Sequence, residues 1–186
     1  MKKTLTIVLI LAIIILTGFF MRNAIVSSIL EYKTLEERKL FYKPDTNFVA
    51  FCNNQMSNIE EHTIELIIKK SLLVTSKQLN FTTSKAENNP NLLLKSEKAN
   101  CVGYAQFYAL VCNILLKKSN LDNDWIAKAY VAQLYVFEKN VHYYLSSPFW
   151  KNHDFVIIKN LKTNERIAVD PTLHDYFLID KVALKN

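Results

Sequence analysis

Apolar and polar positions alternate along this chain in three different rhythms, and each rhythm predicts a different kind of element. From Leu5 to Phe20 there is almost no rhythm, because nearly every residue is apolar. With Thr4 and Met21 the run is about 18 residues, or roughly 27 Å of helix, close to the hydrocarbon thickness of a bilayer. From Cys101 to Lys118 the apolar residues recur at 102, 105, 109, 112 and 116, one stripe at helical spacing. Phe107, Leu110, Val111, Ile114 and Leu115 widen the stripe, so this helix is expected to be central and mostly buried. Beyond a turn-rich break at Asn120-Leu121-Asp122-Asn123-Asp124 the period shortens. Trp125–Phe137, His153–Ile158 and Arg166–Asp170 read as strands. Lys162-Thr163-Asn164 reads as the turn between the last two, and Pro171 stops the third.

The remaining segments are less regular. Residues 22–43 read as a helical continuation or stalk leading to Pro44. Residues 45–54 read as loop and short strand. Ser57-x-x-Glu60 is a capping box opening an amphipathic helix that ends near Gln78. Asn88-Asn89-Pro90 marks a loop. Residues 141–152 are aromatic and irregular, and the pattern of 176–184 fits a strand or a helix equally. The domain division expected is 1–22 anchor, 23–54 stalk and lead-in, and 55–186 folded domain.

Lys2 and Lys3 before the apolar run also fit a secretory signal peptide. No small-x-small cleavage site follows at Thr17-Gly18-Phe19-Phe20-Met21-Arg22, and no cysteine lies there for a lipid anchor. An uncleaved signal anchor is therefore the preferred reading, with a secreted domain if the segment is cleaved. Basic residues flank both ends, so charge does not set the orientation. The resemblance to an export signal places the domain outside the cytoplasm.

Of 186 residues half are hydrophobic, and the net charge of +6 comes from scattered lysines. No basic stripe interleaved with aromatics suggests a nucleic-acid partner. Three cysteines without regular spacing argue against a disulfide framework, and no CxxC pair suggests zinc. Neither a metal nor a cofactor is expected. Cys101 and Cys112 lie roughly 16 Å apart along one helix, too far to bond.

The candidate chemistry begins at Asn100-Cys101-Val102-Gly103-Tyr104-Ala105. Cys101 falls at the start of the central helix, where unpaired N–H groups and the helix dipole favour an anion. A thiolate there gains reactivity. The next partners come from the predicted hairpin. If Lys159 pairs with Asn164 across the loop 160–163, His153 sits directly opposite Asp170 on the same face. The carboxylate would then fix the imidazole tautomer and favour its cation, and the imidazole would take the proton of the Cys101 thiol. The Cys101 backbone N–H is a candidate oxyanion donor, with Gln55 or Asn100 as guesses for a second. Blander roles are expected for the rest: His62 at the surface, His142 structural, His174-Asp175 in a surface turn, and Cys52 and Cys112 as small buried residues.

These stretches resemble the transglutaminase-like branch of the papain-like cysteine enzymes. The resemblance lies in Cys101-Val102-Gly103-Tyr104-Ala105, in His153-Asp154-Phe155-Val156, and in Val169-Asp170-Pro171-Thr172, the most specific of the three. The order Cys, His, Asp is kept, and the similarity covers roughly residues 55–172. The chain departs from the pattern in having Asp154 directly after the histidine and no Trp in the strand before Asp170. Asp154 is expected on the opposite face of its strand. The resemblance implies an α+β, papain-like core, with the nucleophile helix packed on an antiparallel sheet behind an N-terminal transmembrane helix. It implies a Cys101-His153-Asp170 triad acting on amide or acyl groups of a protein or peptide substrate. Release by water would make it a peptidase or amidase; release by an amine would make it a transglutaminase. The alternative is a catalytically silent binding or scaffold module on the same fold.

Overall fold

The computed structural model describes residues 2–39, 42–55, 63–145, 147 and 151–185. It is a mixed α+β molecule in which a long N-terminal helix, α1 (Lys2–Ile29), runs directly into a sheet strand, β1 (Leu30–Glu37). Then follow α2 (Thr46–Gln55), α3 (Ile64–Gln78), β2 (Asn80–Phe81), α4 (Pro90–Ser96) and β3 (Lys98–Ala99). The central helix α5 (Cys101–Lys118) leads to β4 (Trp125–Val136), β5 (Lys139–Asn140) and a 3-10 turn at Val141–Tyr144. The chain ends in β6 (His153–Asn160), β7 (Arg166–Val169), α6 (Pro171–Phe177) and β8 (Ala183–Leu184).

The main sheet runs β7-β6-β4-β1-β8, with β5 paired to β4. Pairing is antiparallel except between β1 and β8, which is parallel. A separate two-stranded sheet joins β2 and β3 in parallel. The sheet is buried on both faces, which explains the unbroken apolar run Phe155-Val156-Ile157-Ile158. Val156 and Ile158 join Ala127, Ala129 and Val169 under α5 and α3, whereas Phe155 and Ile157 join Tyr32, Ala132 and Ala168 on the other face. Successive residues of a strand point to opposite faces, so a strand covered on both sides needs no polar alternation.

Helix α5 is the pillar of the first layer. Tyr104, Phe107, Tyr108, Val111 and Leu115 are fully buried along it. Asn113 ties it to β4 through a two-way amide clasp, donating to Ala127 O at 2.8 Å and accepting from Ala127 N at 2.9 Å. Its first turn fits against α4 and the loop before it because residue 103 is glycine. A Cβ there would lie 2.8 Å from Ala99 Cβ, 3.0 Å from Glu87 O and 3.3 Å from Leu93 Cδ1.

Several expectations are corrected. Residues 22–43 are helix only to Ile29; the stalk reading fails for Leu30–Glu37, which is an interior strand of the sheet. Residues 45–54 are not loop and strand but enter helix α2, with Asp45 Oδ1 accepting from Phe48 N at 2.8 Å. The sheet is mixed rather than purely antiparallel. The amphipathic helix is described from Ile64, capped by Thr63; Ser57, Glu60 and His62 lie outside the described residues. The undecided segment 176–184 divides between the end of α6 and β8.

Helix α1 carries the apolar span Leu9–Ile29, whose large side chains are exposed as far as Met21, while Val26 and Ile29 are half-buried. That span fits a membrane anchor or a signal sequence. Its C-terminal end is fixed to the domain: Arg22 Nε donates to Leu178 O at 2.8 Å, and Asp180 N donates to Asn23 Oδ1 at 2.8 Å.

Candidate functional site

The start of α5 is built by Asn100, whose Oδ1 accepts from Val102 N at 3.1 Å and Gly103 N at 3.3 Å. An N-cap of this kind satisfies two of the orphan donors of the first turn and leaves Cys101 as the first helical residue. Asn100 is thereby the cap, with its carbonyl already engaged. Gln55, the other guess for an oxyanion donor, ends α2 and is not part of the cavity wall that holds Cys101.

Asp170 is likewise set by a helix start. The sequence Val-Asp-Pro-Thr is the last residue of β7, the N-cap, Pro at the first helical position, and the second residue of α6. Asp170 Oδ1 accepts from Thr172 N at 2.9 Å and Leu173 N at 3.1 Å. The other oxygen, Oδ2, lies 2.7 Å from His153 Nε2 and accepts from the Tyr32 hydroxyl at 2.6 Å. One carboxylate thus caps a helix with one oxygen and holds an imidazole with the other.

The hairpin register differs from the one expected. Lys159 pairs with Arg166 and Val156 with Val169, two residues out from the predicted Lys159–Asn164 pairing. Asp170 is therefore not directly opposite His153, and it lies just beyond β7. A shift of two preserves the face of every side chain, because the side-chain period of a strand is two. A diagonal neighbour on the same face remains within reach of a long side chain, and the histidine–carboxylate contact forms.

His153, the first residue of β6, shares the cavity wall with Cys101, which lies near enough to favour the charged imidazole. With Nε2 engaged by Asp170, the ring's Nδ1 is left for the sulfur. Burial of His153 acts to lower its pKa. The Asp170 charge and hydrogen bond, joined by the Cys101 contact, outweigh this and hold it well above the ordinary imidazole value. Burial acts to raise the Asp170 pKa, but the His153 charge, the His153 and Tyr32 hydrogen bonds and the Leu173 N–H carry it below the usual carboxylate value. The pair is thus disposed as imidazolium and carboxylate.

This has a measurable consequence for stability. Asp170, with its lowered pKa, stabilises the fold above its unfolded value near ~4 and loses that contribution as pH falls through the folded value. His153, with its raised pKa, stabilises fully below about 6.5 and loses that contribution as pH rises through its folded value. The difference in melting temperature between wild type and Asp170→Asn, which preserves a good N-cap, is expected to be widest between about pH 4.5 and 6.5. It should narrow on both sides in a thermal-shift series. A difference flat across pH would mean that the two groups do not form an ion pair.

Asp154 occupies the opposite face, as its neighbour position requires. Its two oxygens receive Arg38 Nε at 2.7 Å and Nη2 at 2.8 Å, a two-pronged pair beside the strand end of β1. It makes no competing claim on the imidazole. Tyr32 is the residue of the candidate site that sequence reading missed. Its ring meets His153 edge-on, centroids 6.0 Å apart, and it is 1% exposed.

The other candidates fall away from this centre or take subsidiary places in it. Cys52 and Cys112 are fully buried, and burial pushes both thiols up to about 12, against partial opposition from Lys118 and from Ser71 and Tyr108 respectively. His174 is not in a surface turn but within α6, its Nδ1 3.0 Å from Asp180 Oδ1, and its neighbour Asp175 accepts from the buried Tyr104 hydroxyl at 2.7 Å. His142 lies on the wall of the same cavity as Cys101. That cavity encloses about 510 Å³, with Cys101, His153, Asp170 and Tyr32 on one wall. Among the described residues, no three His, Cys, Asp or Glu side chains converge as a metal site would need. No protein-family model matches the chain, and no curated protein matches it.

Proposed function

We propose that this protein is a membrane-anchored thiol enzyme of the transglutaminase-like, papain-like kind, acting on amide or related acyl groups. The observation that carries the proposal is Cys101 beside the hydrogen-bonded pair His153–Asp170 on the wall of a cavity large enough for a ligand. Nucleophile, base and orienting carboxylate in hydrogen-bonded sequence are the requirement for covalent acyl transfer.

Cys101 Sγ attacks the substrate carbonyl as thiolate, with His153 holding the proton at Nδ1. The developing oxyanion lies near the Cys101 backbone N–H, a first-turn donor that the Asn100 cap does not take. The imidazolium returns its proton to the leaving amine, and the acyl-enzyme is released by water or by a second amine. Asp170 stays ionised throughout, fixing the ring through Nε2 while the Tyr32 hydroxyl fixes Asp170. Helix α1 anchors the protein in a bilayer, with the domain outside the cytoplasm.

Two experiments test these statements. Iodoacetamide should label Cys101 in the native protein at neutral pH, with Cys52 and Cys112 spared. His153→Ala should slow Cys101 labelling at least about tenfold, since the thiolate fraction sets the rate. Slow labelling of Cys101, indifferent to His153, would favour the silent binding module instead. Carbonate extraction of the full-length chain should leave it in the membrane pellet. Recovery in the soluble fraction with an N-terminus beyond residue 22 would show a cleaved signal.

A further inference from the structure

The cavity that holds Cys101 is lined mainly by apolar surface. Beside the polar side chains of Cys101, His142, Asn152, His153, Asp170 and Thr172, its walls are made by Leu30, Leu134, Val141, Leu145, Leu173 and Phe177. A second apolar cavity of about 380 Å³ shares Leu30, Leu173 and Phe177 with the first and continues along α1 through Val26 and Ile29. The two apolar cavities therefore lie side by side, with Leu30, Leu173 and Phe177 lining both, between the flank of the candidate membrane span and the nucleophile. Large side chains around this face are exposed: Tyr143 by 86%, Tyr144 by 76%, Phe177 by 65% and Tyr176 by 58%. Aromatics of this kind concentrate where protein meets the interface of a bilayer. Arg22, bound to Leu178 O, fixes the end of α1 to the same face.

We infer that the acyl donor is a bilayer lipid, whose long-chain acyl ester enters from the membrane alongside α1 and lays its hydrocarbon tail in this cavity. The inference rests on the thiol-enzyme reading and on α1 lying in the membrane, and it narrows the substrate. A peptide in the same space would bury backbone N–H and C=O groups against mainly apolar walls, and each one left unpaired would weaken binding. A hydrocarbon chain asks for no partners. Cys101 Sγ bonds to the acyl carbon as the ester C–O bond breaks, and the alcohol leaves with the proton carried by His153. Water then adds to the thioester, its proton passing through His153 to the sulfur as the fatty acid departs.

The test uses the full-length protein in detergent micelles, with 4-nitrophenyl esters of acetyl, octanoyl and palmitoyl chains. Alongside it, Cys101 capture by N-alkyl maleimides of matching lengths is followed by mass spectrometry. Each rate is read as a ratio to that of Leu134→Trp, whose added bulk fills the cavity; the ratio removes partition into the micelle. Leu145→Trp, at a half-exposed wall position, serves if Leu134→Trp does not fold. The ester ratio should climb with chain length by up to about fourfold per methylene, the factor corresponding to about 0.8 kcal/mol for each one buried. The maleimide ratio should climb in parallel. Cys101-dependent turnover with no dependence of the ratio on chain length would overturn the lipid assignment and leave the thiol enzyme standing. Length-dependent capture without turnover of any ester would uphold the cavity's occupant and remove the enzyme. Neither turnover nor length-dependent capture would remove both.

Discussion

Replacing Cys101 by Ala is expected to reduce acyl transfer by about 10⁴-fold or more, to the level of the uncatalysed reaction. The fold should survive, because Cys101 is the first residue of a helix whose cap is Asn100 and whose first turn tolerates Ala. His153→Ala should be nearly as severe, and the double variant no worse than either single one, since nucleophile and base act as a unit. Asp170→Asn should cost less than either, because the imidazole persists but loses the charge that sets its tautomer. Tyr32→Phe should cost about tenfold through the lost hydroxyl bond to Asp170 Oδ2, a bond to a charged acceptor worth about 1.5 kcal/mol. The measurement is kcat/KM for each variant on an amide or ester that the wild type turns over. Full activity in Cys101→Ala would remove the mechanism. Full activity in Tyr32→Phe would detach β1 from it.

The largest effect on stability is expected at Arg38. Asp154 is 2% exposed, and its two oxygens are held by a guanidinium that is itself about one-third exposed. Arg38→Met should leave a buried carboxylate unpaired in β6 opposite Val131. Removing one partner of a buried pair typically costs about 3–5 kcal/mol. The partial exposure of Arg38 puts this case at the lower end, near ~3 kcal/mol, or a fall in melting temperature of about 6–12 °C for a chain of this size. Adding Asp154→Leu to Arg38→Met should recover most of the loss, because the uncompensated charge is then gone. A thermal melt of the three proteins decides it. Unchanged stability in Arg38→Met would mean that water serves Asp154 as well as arginine does.

The comparison with the sequence is instructive residue by residue. Helix α5 and strands β4, β6 and β7 follow the hydrophobic rhythms closely, because each buries a face long enough to leave a clear period. The Cys101, His153 and Asp170 positions were legible for the same reason: each sits at the boundary of an element, where a cap or strand start fixes it. The hairpin register was not, since the turn at 161–165 is longer than the one assumed, with Asn160 Oδ1 accepting from Lys162 N and Thr163 N. The error of two left the faces intact, so the pairing of His153 with Asp170 came through by parity. Strand β1 was hidden by its own irregularity. Leu30, Tyr32 and Thr34 alternate with Glu31 and Lys33, but the register shifts between Thr34 and Glu36. A bulge at that point breaks the period-two signal, and the segment then reads as the tail of α1. Tyr32 went unseen with it. Helix α2 was obscured by Asn47, Asn53 and Asn54, although Phe48 and Cys52, one turn apart and buried, mark its inner face.

The place of β1 in the sheet also has a consequence for the order in which the candidate site is assembled during synthesis. Residues 30–37 leave the ribosome early, yet their neighbours are β4, made about a hundred residues later, and β8, at 183–184. Tyr32 waits 138 residues for Asp170, and its carbonyl accepts from Lys185 N at 3.0 Å. Contacts so distant in sequence form late, after the local helices. Until residues 153 and 170 are translated, the thiol at Cys101 has neither a base nor a carboxylate to steady one. The His153–Asp170 pair, and with it the surroundings of the Cys101 thiol, is complete only with the closing of the sheet.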